Sequence, residues 1–288
     1  MLLMIPASED HIKSDISEKR AANLDEMQLR FRRRYILKKT INMLMSFFIV
    51  FCGVTAVLYS VYIIGSNLFD RLRYMTFDGT IYTTVMSAAF TVVCIIEAVY
   101  ETEITNRFVY FIRLSSAVTE FIIFAVVMFG LTPLVPDRPD IVTYTGFVMH
   151  IIIPTLTLIC FIFNDAPIGR VKWYVPLNGT VYITLYAVIM VFVFATGILP
   201  PEKAPYSFFD FKHSSPWFVL ACGIGIYVIG YLISLLLIRL NNRMSWVWFH
   251  DLSKNGKPPR FSKLAKGFFY GRKNQQIAGQ VKKERADQ

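Results

Sequence analysis

Six long apolar stretches, nearly free of charge, account for most of this chain, at roughly 41–64, 74–99, 114–134, 141–163, 174–199 and 217–240. A stretch of about 20 apolar residues matches the roughly 30 Å hydrocarbon core of a bilayer. Lipid offers no hydrogen-bond partner to backbone N–H and C=O groups, so each stretch must close its own bonds as a helix. The predicted fold class is therefore all-α: a polytopic membrane bundle of six transmembrane helices. A mean hydropathy of +0.46 and 55% hydrophobic residues agree with that class and argue against a soluble domain. Three regions follow: a basic N-terminal segment over 1–40, the six-helix domain over 41–240, and a basic tail over 241–288.

The net charge of +10 raises the question of nucleic acid, but its placement answers otherwise. Nine Lys/Arg precede the first stretch and twelve follow from Arg239 onward. With six spans, both termini share a side. The connections on that side add Arg107, Arg113, Arg170 and Lys172, so that 25 of the 30 positive residues gather there. The positive-inside rule then predicts cytoplasmic termini in a cell-membrane protein. Basic clusters such as Arg32, Arg33 and Arg34 would meet anionic headgroups, and no nucleic-acid partner is expected. The first stretch is expected to act as its own insertion signal, because it follows a long charged segment. Four cysteines lie inside apolar stretches as packing residues, and four scattered histidines have no metal-ligand spacing. Neither a metal nor a cofactor is expected.

Polar residues inside the stretches carry the functional information, because they are costly there. The fourth stretch holds a lone His150, followed by Pro154. Proline removes the N–H that would bond the His150 carbonyl, so a bend is expected. The second stretch presents Thr76, Thr80, Thr83 and Ser87 at helical spacing on one face, with Asp78 near one end and Glu97 near the other. Close helix packing accounts for Thr80, Thr83 and Ser87 but leaves Thr76 unexplained. Glu120 in the third stretch is expected to snorkel or to pair with Arg113. The segment from Asp25 to Lys39 is expected as a surface helix before the chain turns into the membrane. The aromatic loop 204–211, which contains Asp210, is expected to fold back on the bundle mouth. Asn178-Gly179-Thr180 matches a glycosylation pattern by chance.

If Thr76 and His150 meet, they have a chemistry. A neutral imidazole can take the proton of a threonine hydroxyl, which then attacks an ester carbonyl. A third residue would orient the imidazole, and Asp78, Glu120 and Asp210 are the candidates. The stretch Leu72-Arg73-Tyr74-Met75-Thr76 resembles the "(K/R)-Y-(M/F/L)-T" opening of the androgen-induced family of multi-span membrane proteins. Met149-His150-Ile151-Ile152-Ile153-Pro154 is similar to that family's "MH…P" helix. Trp173, Pro176, Tyr182 and Tyr186, then Pro205-Tyr206-Ser207-Phe208-Phe209-Asp210, resemble the fifth helix and "PYPFLD" loop of its bacterial branch. The resemblance, from about Leu72 to Leu240, implies an intramembrane threonine hydrolase of fatty acid esters of hydroxy fatty acids. It implies Thr76 as nucleophile, His150 as its histidine, and membrane lipids as partners. The chain departs where relatives usually place an asparagine after the threonine, preceded by serine in bacterial members; here stands Asp78-Gly79-Thr80. If that asparagine serves the oxyanion, this chain lacks the donor. The competing reading is a non-enzymatic membrane protein: a small-solute or proton-coupled carrier with His150, Glu97 and Glu120 as relay groups, or a scaffold.

Overall fold

The computed structural model describes residues 9–65, 67–100, 107–131, 143–164, 172–200, 203–204 and 215–249. All regular structure among them is helical. In order these are α1 (Glu9–Leu58), α2 (Leu68–Leu72), α3 (Met75–Tyr100), α4 (Arg107–Ala125), α5 (Tyr144–Phe147), α6 (Ile153–Ile159), α7 (Val181–Ala195) and α8 (Pro216–Phe249). Wider π turns extend α1 (Tyr59–Ile63), α4 (Val126–Leu131) and α6 (Cys160–Asn164); a fourth, Val148–Ile152, joins α5 to α6. A 3₁₀ turn, Val175–Thr180, leads into α7.

Six of the resulting helical segments are long and apolar enough to cross a membrane: Ile36–Ile63, Met75–Glu97, Arg107–Phe129, Tyr144–Phe163, Val175–Ala195 and Trp217–Ser245. The chain has the architecture of a multi-pass integral membrane protein. Large apolar side chains stand exposed along these helices, Phe47 and Phe51 on α1, Val188 and Phe192 on α7 and Leu232 on α8 among them. Such a surface suits lipid, where exposing it costs nothing.

The third and sixth segments differ from the sequence expectation, and the reason is the same in both. The third begins at Arg107, so Arg113 is a buried helix residue rather than a loop charge; it is 2% exposed. Its Nη2 donates to Asn42 Oδ1 at 3.3 Å, and its guanidinium lies 4.6 Å from the Phe90 ring centroid. The sixth runs through Asn241 instead of stopping there. Asn241 is buried, donates from Nδ2 to the Phe161 carbonyl at 2.8 Å and accepts from the Tyr110 hydroxyl at 3.4 Å. Polar side chains that find partners inside the bundle do not end a helix.

Two compact units emerge: Ile41–Ser245, which is the bundle, and Met1–Thr40 with Trp246–Gln288. In the second unit Arg30 pairs with Glu26 one turn away, and Arg34 donates to the Trp248 carbonyl at 2.9 Å. The segment expected as a surface helix belongs to α1, whose bounds are Glu9–Leu58.

Within the bundle α4 is the central helix, packed on α3, on α6 and on the 3₁₀ turn before α7. One of its faces, with Leu114, Ala117, Val118 and Ile122, joins Phe161, Ile183, Leu237 and Ile238 in a core cluster. A second cluster unites Ile49, Cys52 and Ala56 of α1 with Phe77 of α3 and with Val148, Met149 and Ile153. Glycines permit the closest approaches. A Cβ on Gly53 would meet Thr84 of α3, one on Gly79 would meet Thr119 and Ile123 of α4, and one on Gly179 would meet Ser234 and Val118. Gly179 and Thr180 are buried, and Asn178 Nδ2 donates to the Val175 carbonyl at 3.0 Å, so the glycosylation pattern sits in a packed turn.

Candidate functional site

Thr76 is the second residue of α3, and its placement follows from the short turn before it. Phe77 N–H and Asp78 N–H both donate to the Tyr74 carbonyl, at 3.0 and 3.1 Å, which winds the chain directly into the helix. Two tyrosines of α7 then hold this turn from the side. Tyr186 donates its hydroxyl to the Arg73 carbonyl at 2.6 Å, and Tyr182 donates to Asp78 Oδ2 at 2.6 Å. The Tyr182 ring stacks on Tyr82 with centroids 4.0 Å apart. Arg73 reaches outward, donating from Nη1 to the Lys203 carbonyl at 2.8 Å, while Lys203 Nζ meets Asp70 Oδ1 at 3.3 Å. The Thr76 turn is thus tied on both flanks.

His150 sits in the π turn Val148–Ile152. The Ile153 N–H bonds the Val148 carbonyl across this turn, a five-residue step instead of four. Pro154 explains it: without an N–H on residue 154, the backbone widens by one residue to keep its remaining bonds. The expected bend is therefore realised as a local widening. The helix also starts three residues later than the sequence suggested, with Thr143 as its cap; the Thr143 hydroxyl accepts from Gly146 N–H at 3.1 Å. His150 then lies about 9 Å along the axis from Tyr144 at about 1.5 Å per residue.

α3 packs against the π turn. Phe77, next to Thr76, shares the buried cluster of Val148 and Met149, next to His150. The segments carrying the two residues therefore lie side by side, and both side chains are half-buried rather than sealed. Of the three candidate orienting residues, Asp78 is taken up by Tyr182. Glu120 faces Thr83, seven residues beyond Thr76 on α3 and so about 10 Å further along the axis. Asp210 and the loop 205–214 lie outside the described residues. Glu120 neither snorkels nor pairs with Arg113: it is 0% exposed, and neither carboxylate oxygen has a hydrogen-bond partner among the described residues.

No family model, no curated protein and no solved structure matches this chain.

Sequence reasoning missed Tyr82, though it stands one turn after Asp78 and so on the same helical face. It also missed the Asp70–Lys203 bridge, whose partners are separated by more than a hundred residues. Tyr182→Phe is expected to lower stability by about 1 kcal/mol, since it removes one hydrogen bond and leaves the ring stack in place. Thermal unfolding in detergent, with Tyr186→Phe alongside, checks this. Neither change is expected to alter the helical content seen by circular dichroism.

Proposed function

We propose that this protein is an intramembrane threonine hydrolase of lipid (fatty acyl) esters, related to the androgen-induced membrane proteins. The observation that carries the reading is convergence. The sequence pieces with family resemblance that lie among the described residues, Leu72 to Thr76, Met149 to Pro154, and Tyr186 of the third piece, come together around one helical turn.

In this reading His150 takes the proton of Thr76 Oγ1 as the oxygen attacks the ester carbonyl. The imidazolium returns the proton to the departing alcohol, and an acyl-threonine remains. Water, deprotonated by His150, then attacks the acyl carbon and releases the fatty acid with Thr76 restored. The half-buried pair beside a lipid-facing helix surface suits a substrate that arrives sideways from the bilayer. We place both termini in the cytoplasm and the protein in the cell membrane on the charge distribution. The site then belongs to the outer half. A carrier is the second reading, favoured by the fully buried Glu120.

A fluorophosphonate probe distinguishes the two. Wild-type protein in detergent is expected to be labelled on Thr76, as located by peptide mass spectrometry, and labelling should vanish in Thr76→Val. Absence of labelling in wild type, or labelling mapped elsewhere, would sink the hydrolase.

A further inference from the structure

The α3–α4 interface holds an unusual set of oxygen atoms. Glu120 is completely buried in the central helix with both carboxylate oxygens unbonded among the described residues. The Thr83 hydroxyl is turned towards that carboxyl without closing a hydrogen bond. One turn further along α3 is Ser87, and one turn back along α4 is Ser116, which also faces Tyr82; both are buried and neither hydroxyl closes a hydrogen bond among the described residues. The antiparallel register makes them neighbours of the first pair, since Gly79 meets Thr119 and Ile123 on one side and Phe90 meets Arg113 on the other. Thr119, opposite Gly79, adds one more buried hydroxyl that closes no hydrogen bond among the described residues.

Other hydroxyls of α3 behave differently. Thr80, Thr84 and Thr91 each donate to the carbonyl four residues back, at 2.8, 2.6 and 2.8 Å. That bond is open to any serine or threonine in a helix. Thr83 and Ser87 do not make it. Their oxygens, like those of the carboxylate, are buried and close no hydrogen bond among the described residues.

We infer that Glu120 and Thr83, with Ser87 and Ser116, form a binding site for a small monovalent cation, sodium by preference, between α3 and α4. A lone carboxylate at membrane depth is expensive unless its charge is balanced. One positive charge balances it, whereas a divalent ion would leave a net charge buried. A proton would neutralise the carboxyl but would use only one of the oxygens. Hard cations take several oxygen ligands at once, and carboxylate with hydroxyl is that chemistry. A Cβ at Gly79, one turn back along α3, would already meet Thr119 and Ile123, so the helices approach closely there and the smaller ion, sodium, is the one we assign. Arg113, two turns away on α4, does not supply the charge, because it is engaged by Asn42 and Phe90. The site is independent of whether Thr76 is a nucleophile.

Two measurements on the purified full-length protein test it. Thermal unfolding is followed in sodium, potassium or choline chloride at equal ionic strength. Sodium is expected to raise Tm saturably by several degrees, as a ligand of the folded state does. Glu120→Gln should remove that rise, and Thr83→Val should weaken apparent sodium affinity about tenfold or more. A water-insoluble carbodiimide, which modifies protonated buried carboxyls, should label Glu120 in choline, and sodium should protect it while potassium should not. No sodium-specific rise in wild type overturns the proposal, as does a rise that survives Glu120→Gln. Equal labelling in sodium and choline also overturns it and leaves Glu120 as a group that holds a proton only. The labelling arm needs no variant, so poor folding of Glu120→Gln would not rescue a failed prediction.

Discussion

Thr76→Val is expected to cut kcat for lipid-ester hydrolysis by about 10³-fold or more while leaving the protein folded. The substitution keeps the branched shape and removes only the hydroxyl. Thr76 is half-buried and stands outside the two main core clusters, so little packing is at risk. Its carbonyl, which accepts from Thr80 Oγ1, is untouched. In the proposed mechanism Thr76 is the nucleophile, and losing it removes the covalent path altogether. His150→Ala should cost about 10²–10⁴-fold, the usual share of a general base. The double variant should be scarcely worse than Thr76→Val alone, because residues acting as a unit are strongly non-additive. Thr76→Ser should retain a measurable fraction of the rate. These are read as kcat and KM over a panel of fatty acyl esters, with gel filtration as the check on folding. Turnover that ignores Thr76 would remove the hydrolase reading and leave the carrier.

Gly179→Val should be the most damaging single change to stability. The 3₁₀ turn Val175–Thr180 packs on the central helix, and Gly179 faces both Ser234 and Val118 with no room for a side chain. Even a Cβ would land on Ser234 Oγ, so α8 or α4 must give way. Overpacking of this kind costs about 1–3 kcal/mol for modest insertions, and a branched side chain belongs at or above the top of that range. The expected result is a Tm lower by many degrees, or aggregation during extraction. Ser234→Gly should recover part of the loss, since the two residues share one contact. An unchanged Tm for Gly179→Val would contradict the packing of this turn.

The sequence made the six spans legible because lipid imposes a strict rule on length and polarity. It misjudged their ends where a polar residue is paid back by a partner from a distant helix, as Arg113 is by Asn42 and Asn241 by Phe161. Pro154 foretold a disturbance near His150, but not that it would take the form of a π turn, since proline permits a kink as well. Thr83 and Ser87 read as packing residues, and only the fully buried Glu120 across from them gives those hydroxyls another meaning. The link between Asp78 and Tyr182 crosses more than a hundred residues, and no local pattern encodes such a pairing.

The position of α4 in the chain has a consequence for synthesis. As an isolated helix it would be a poor candidate for release into lipid, because it carries Arg113 and Glu120, and a charged residue at the centre of a membrane helix costs about 2.5–3.5 kcal/mol. Its rescuers are encoded upstream. Asn42 and Phe90 receive Arg113, and Thr83 faces Glu120, so α1 and α3 emerge from the ribosome before the helix that needs them. The order of the spans therefore lets the charged helix leave the translocon into a waiting protein surface rather than into bare lipid. Reversing that order in a permuted chain would strand α4 at the insertion step.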